Sequence, residues 1–130
     1  RLSDFVNRKQ DKDLLLSVIV RKGKRQFRYE SIRQTQTDFP VLACATVTGI
    51  VHGQETWYFS IGARPMKAAL LEKKWEIPRD ASEELIQKYA EEVAASFTYG
   101  TNMRGSAEYR QHLAEVLVRR EITSILAEER

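Results

Sequence analysis

The chain offers few side chains that could do chemistry. Cys44 is the lone cysteine, and His52 and His112 are the only histidines. Catalysis or metal binding needs such groups to converge, with two or more ligands on one face at a defined spacing. His52 falls in a predicted turn and His112 on a predicted helix, and neither has a second ligand at metal spacing. The sequence holds no G-x-S-x-G, no Walker A run and no G-x-G-x-x-G. Glu83, Glu84, Glu91 and Glu92 share a predicted helix with Lys88, a pattern of a solvated face; acid–base work would require burial. Trp57, Tyr58 and Phe59 could stack on a base or a flavin ring. Alternate strand residues point to opposite faces, so at least one of them belongs to the core.

Composition sets the wider bounds. The 130 residues are 42% hydrophobic and 30% charged, with a formal net charge of +3. That is an ordinary balance for one globular domain. No apolar run approaches the ~20 residues that span a bilayer. A single cysteine cannot close an internal disulfide and fits a reducing compartment, so a cytoplasmic location is expected. Much of the positive surplus lies in "RKGKR", Arg21 to Arg25, which reads as a solvated hairpin tip. With Arg28 and nearby aromatics it also motivates an alternative function, a basic nucleic-acid-binding module.

The elements that must position these groups follow from periodicity. Residues 1–13 read as a lead-in. Leu14–Val20, "LLLSVIV", is a strand signal, and Gln26–Arg33 is its expected hairpin partner. Val41–Gly53 and Thr56–Gly62 are further strands, joined by a turn at His52–Glu55. In the third strand, Ala45, Val47, Gly49 and Val51 are expected to face helices, and Thr46 and Thr48 the sheet surface. Pro65 opens a predicted short helix ending near Trp75. Asp80 and Glu83 have capping-box spacing before an amphipathic helix carrying Leu85, Ile86, Tyr89, Ala90, Val93, Ala94 and Phe97. Ser106 is the N-cap candidate of the last helix, whose apolar residues are Tyr109, Leu113, Val116, Leu117, Ile122, Ile125 and Leu126. Strands first and helices second predict one α+β domain, residues 1–130. It has an antiparallel sheet of three to four strands (14–62) and three helices (65–130) packed on it.

Two stretches are more specific than any of these features. "SIGARPMKAALLEK", Ser60 to Lys73, and "MRGSAEYRQHLAEVLVRREI", Met103 to Ile122, together resemble the C-terminal domain of the FAD-binding subunit of molybdenum hydroxylases, the xanthine dehydrogenase and carbon monoxide dehydrogenase type. Gly62, Pro65 and Glu72 match the family's turn and helix opening. Ser106, Tyr109 and Arg110 match the start of its final helix. "DKDLLLSVIV" and "FRYESIRQTQTDFPVLACATV" are similar to its opening strands.

The resemblance implies a non-catalytic domain of an oxidoreductase, with no complete active site of its own. It would pack on an N-terminal FAD-binding portion and support electron transfer between iron–sulfur clusters and FAD. Molybdopterin and the clusters would sit on partner subunits, with no membrane involved. Residues 1–13 would then lead in from the FAD-binding portion. Tyr29 and Glu30 would lie near the flavin. Glu30 departs from the Lys that many family members carry there, and Gln34 and Thr35 stand where a pair of arginines is expected; a Lys would favour negative charge on a reduced ring, and a Glu the reverse. Gly62, Pro65, Glu72, Ser106, Tyr109 and Arg110 would serve structure or interface, with Tyr109 starting the apolar stripe and Arg110 reaching an acid or carbonyl through its five donors.

Overall fold

A hairpin organises the sheet. In the computed structural model, β2 (Leu42–Val51) and β3 (Gln54–Gly62) pair antiparallel across a two-residue turn. His52 and Gly53 both take positive φ, 52° and 81°, the signature of a turn whose twist matches the strands it joins. β1 (Arg25–Ile32) pairs antiparallel with β2 on one side, and β4 (Ala69–Leu70) with β3 on the other, giving the order β1-β2-β3-β4. The structure describes residues 2–9, 12–20, 22–71 and 73–128. A short α1 (Leu2–Asn7) precedes the sheet, and α2 (Glu83–Ala95) and α3 (Ala107–Ala127) follow it.

The result is α+β with a four-stranded antiparallel sheet, as the order of patterns predicts, yet two elements differ. Leu14–Val20 is not a strand, so it does not pair with Gln26–Arg33 as expected. The fourth strand lies instead where a helix was expected. Residues 69–71 and Trp75 pair with β3: Leu71 N–H donates to Phe59 O at 3.0 Å, and Trp57 N–H to Trp75 O at 2.9 Å. Trp75 buries its ring edge-on to Phe59 and Tyr89, at centroid distances of 6.2 and 6.0 Å. Aromatic burial and ladder bonds outweigh the modest helix propensity of "AALLEKK". Two helices, not three, therefore follow the sheet among the described residues.

Helix α3 lies across β1 and β2, and α2 packs on α3. The covered sheet face carries Leu42, Cys44, Thr46, Thr48, Trp57, Phe59 and Ile61. This reverses the expected orientation of β2: the threonines face the helices, and Ala45, Val47 and Gly49 face outward. Leu42 and Cys44 share parity with Thr46 and Thr48, so burying the first pair buries the second. The helical side of the core adds Ile86, Ala90, Val93, Ala114, Leu117, Val118, Ile122 and Ile125. Each fully buried Leu, Ile, Val or Phe contributes roughly 1.5–3 kcal/mol.

Candidate functional site

The start of α3 is a junction built on Arg110. Ser106 caps the helix, its hydroxyl accepting from Tyr109 N–H at 3.1 Å. One residue further, Arg110 is 1% exposed and turned into the domain. Its guanidinium donates to Val41 O at 3.0 Å, Gly100 O at 2.8 Å, Asn102 Oδ1 at 2.6 Å and Gly105 O. The planar fork thus joins the entry of β2, the 98–105 loop and α3. Among the described residues no carboxylate takes part, and carbonyl dipoles carry the compensation for a buried charge.

Tyr109 does not begin the buried stripe. It stays 47% exposed, with its ring 3.0 Å from where a Cβ on Gly105 would stand. The helical turn puts Arg110, not Tyr109, on the axis of Ala114, Leu117 and Glu121.

Around this junction lie two of the other matched residues, Pro65 and Gly62. Pro65 opens no helix; it packs against Gly100, where an added Cβ would meet Pro65 Cδ at 2.8 Å. Gly100 N–H also donates to Arg64 O at 2.6 Å, and Arg64 Nη1 to Thr98 O at 2.7 Å. Gly62 ends β3 with an added Cβ 3.3 Å from Ala68 Cβ. Glu72 lies outside the described residues.

Tyr29 and Glu30, expected near a flavin, point to opposite faces of β1. Tyr29 shares the outer face with Ala45, Ser60 and Leu70 across the ladder, while Glu30 is half-buried opposite Cys44 on the helix-covered side. They form no common contact surface. Beyond the sheet end, Arg104 pairs with Asp38 at 3.2 Å and lies 5.6 Å from the Phe39 ring centroid. The Phe39 N–H first, and Arg104 second, hold the Asp38 carboxyl below its usual range.

A second buried charge was not singled out by sequence reasoning. Glu121 on α3 is 0% exposed. One carboxyl oxygen accepts from Thr46 Oγ1 at 2.5 Å and from Cys44 Sγ at 3.2 Å; among the described residues the other has no hydrogen-bond partner. Burial raises this carboxyl to about pH 7, against the lowering effect of the Thr46 and Cys44 bonds. Burial also pushes the Cys44 thiol well up, and the Glu121 charge adds to it, so this cysteine is a poor nucleophile. A signal existed: Glu121 stands four residues after Leu117 and four before Ile125, on the buried stripe.

The basic constellation expected for nucleic acid is not carried on a hairpin among the described residues. Without the hairpin, Lys22 and Lys24 lie on an unpaired connection and Arg21 falls outside the described residues. Arg28 bonds Ser124 Oγ at 2.8 Å and pairs with Glu128. Among the described residues, no group of three or more His, Cys, Asp and Glu side chains could hold a metal. None of the described helices is long and apolar enough to cross a membrane.

What remains is the open sheet face. Phe27, Val47 and Tyr58 stand in register, next to Tyr29, Ala45 and Leu70; Phe27, Tyr29 and Leu70 are more than half exposed. The face is largely apolar and part-exposed, with Ser60 between Ala45 and Leu70.

Fold and face together define an α+β domain with helices on one side of its sheet. A profile of the CO dehydrogenase flavoprotein C-terminal domain matches residues 27–125. The chain belongs to that family. Among solved structures, it is similar to quinoline 2-oxidoreductase from Pseudomonas putida 86 (TM-score 0.67, 15% identity, 82% of this chain and 38% of that one). It is also similar to a Cu,Mo-CO dehydrogenase in its cyanide-inactivated form (0.65, 21%, 83% and 39%). A third is carbon monoxide dehydrogenase from Hydrogenophaga pseudoflava lacking the Mo-pyranopterin moiety (0.60, 19%, 82% and 38%). The chain therefore spans under two-fifths of the chains it matches. A search of curated protein sequences finds no significant match.

Proposed function

We propose that this chain is the C-terminal domain of the FAD-carrying subunit of a molybdenum-dependent hydroxylase, and that its open sheet face packs on the flavin-binding part. The family match over residues 27–125 carries this reading. In it the domain performs no reaction step. It shapes and supports the flavin's surroundings while electrons pass between iron–sulfur clusters and FAD held elsewhere, with molybdopterin on a further subunit.

The residues present do not fit a self-sufficient cofactor site. Tyr29 offers an exposed ring, but Glu30 is turned away from it, and the described residues form no glycine-rich cradle for phosphates. Cys44, buried and bonded to Glu121, does not fit a cluster that needs four thiolates. The domain's contribution is therefore positional: Arg110 fixes the 98–105 loop, and the sheet presents an apolar surface of defined shape.

Combining the chain with the matching flavin-binding portion is expected to yield an assembly with bound-flavin absorbance in the visible range. Phe27→Asp, on the open face, is expected to weaken that association at least tenfold while leaving the domain's own melting temperature within about 2 °C, as for other exposed substitutions. An FAD subunit fully competent without residues 1–130 would overturn the reading.

A further inference from the structure

The segment Leu14–Val20 is the most apolar exposed stretch of the chain. Leu14, Leu16, Ile19 and Val20 are each more than four-fifths exposed, and Leu15 and Val18 more than half. Among the described residues, no backbone hydrogen bond from this segment is formed, and it belongs to neither a helix nor a strand. Six apolar side chains lie in water together, which is unfavourable, while the backbone donors and acceptors of the segment remain open to pairing.

We propose that Leu14–Val20 is a β-strand contributed by this chain to a second sheet, one covered on both faces, in the flavin-binding part of the assembly. This rests on the function proposed above. The alternation of the segment identifies the kind of sheet. In an extended strand Leu14, Leu16, Val18 and Val20 point one way, and Leu15, Ser17 and Ile19 the other. Both sides are apolar, which is the pattern of a strand buried on two faces rather than one.

That pattern argues against the free edge of β1 as the partner. A strand added there would have the helix layer beneath it and solvent above, so one apolar set would stay wet. Four residues separate Val20 from Arg25, enough for a hairpin, yet Leu14–Val20 forms no strand beside β1. The family match begins only at residue 27, which leaves Leu14–Val20 outside the matched domain. The solved relatives meanwhile extend well beyond the aligned region, so further polypeptide is available to provide the sheet. Pairing of an extended segment with an exposed sheet edge supplies main-chain bonds and side-chain pockets together.

Hydrogen exchange read by mass spectrometry tests the proposal on the flavin-bearing assembly and on the chain alone. Amides 14–20 are expected to exchange freely in the chain alone and to slow at least a hundredfold in the assembly. Leu16→Asp and Ile19→Asp, one on each side of the strand, are each expected to weaken assembly at least tenfold without changing the unfolding of the chain alone; Lys22→Asp is expected to do neither. Slow exchange in the chain alone, independent of concentration, would assign the segment to β1 and overturn the proposal. Slowing that grows with concentration would assign it to a second copy and overturn the proposal equally. If an assembly with bound flavin forms while amides 14–20 still exchange freely, the strand proposal fails and the proposed function stands. If no flavin-bearing assembly forms, both fall.

Discussion

Helix α3 buries two charges of opposite sign, Arg110 near its start and Glu121 eleven residues later, and it treats them differently. They lie about 16 Å apart along the axis, at 1.5 Å per residue, so neither neutralises the other closely. Arg110 spends its donors on four acceptors. Among the described residues, Glu121 has two donors on one oxygen and none on the other. A guanidinium cannot lose its proton at working pH, so its site must be fully built. A carboxyl can shed its charge by taking up a proton, so its site can be left half built. The first charge is structural at every pH; the second is conditional.

The largest expected effect breaks the Arg110 end. Arg110→Ala leaves three backbone carbonyls and Asn102 without their shared donor and is expected to cost about 3–5 kcal/mol of unfolding free energy. Urea titration checks this, and the loss is expected to be the same at pH 5 and pH 8. Arg110→Lys is expected to recover only part of it, since an ammonium cannot match the fork.

The next effect tests whether Glu121 is conditional. Its folded value, about 7, lies above the usual 4.5, so the folded state holds the proton more tightly. The stabilisation from this group is fully present below pH 4.5 and is lost as pH rises to about 7. The difference above pH 7 is about 3 kcal/mol, at 1.36 kcal/mol per pH unit. Glu121→Gln is expected to abolish that fall, leaving the variant more stable than the parent at pH 8. Thermal unfolding across pH 4 to 8 reads it directly, and an identical fall in parent and variant would show that other groups carry it.

The smallest effect sharpens the contrast. Thr46→Val removes the better of the two donors to Glu121 and is expected to cost about 1 kcal/mol at pH 5. It also moves the midpoint of the pH-dependent fall upward, because a donor that favoured the charged form has gone.

How much of this was legible depends on whether the deciding contact was local. The His52–Gly53 hairpin, the Ser106 cap and the stripe from Ile86 to Val93 are specified by neighbours in sequence, and they form. The cap of α2 moves from Asp80 to Ser82, which accepts from Leu85 N–H; "DASEE" contains two overlapping cap signals, and the turn at Pro78–Ala81 leaves the second to start the helix. Residues 65–75 carry a helical pattern, but β3 and Tyr89 decide their conformation from a distance. Leu14–Val20 has the composition of a strand, yet strand composition does not name a partner. The orientation of β2 was readable from Leu42 and Cys44 but hidden by the smoothness of Ala45, Val47 and Gly49. The role of Arg110 was partly visible, because an arginine at the head of an apolar helix needs acceptors; that all four lie within this chain was not. Glu121 sat on the buried stripe in plain spacing, and its charge argued against taking the spacing at its word.

The Gly100 peptide bears on how freely this sequence could drift. Its N–H is given to Arg64 and its carbonyl to Arg110, and the missing side chain is the space that Pro65 fills. Any other residue would displace the proline and loosen both arginines at once. A change at Gly100 is therefore tied to one at Pro65, and a lineage that altered the glycine first would be eased only by losing the proline ring.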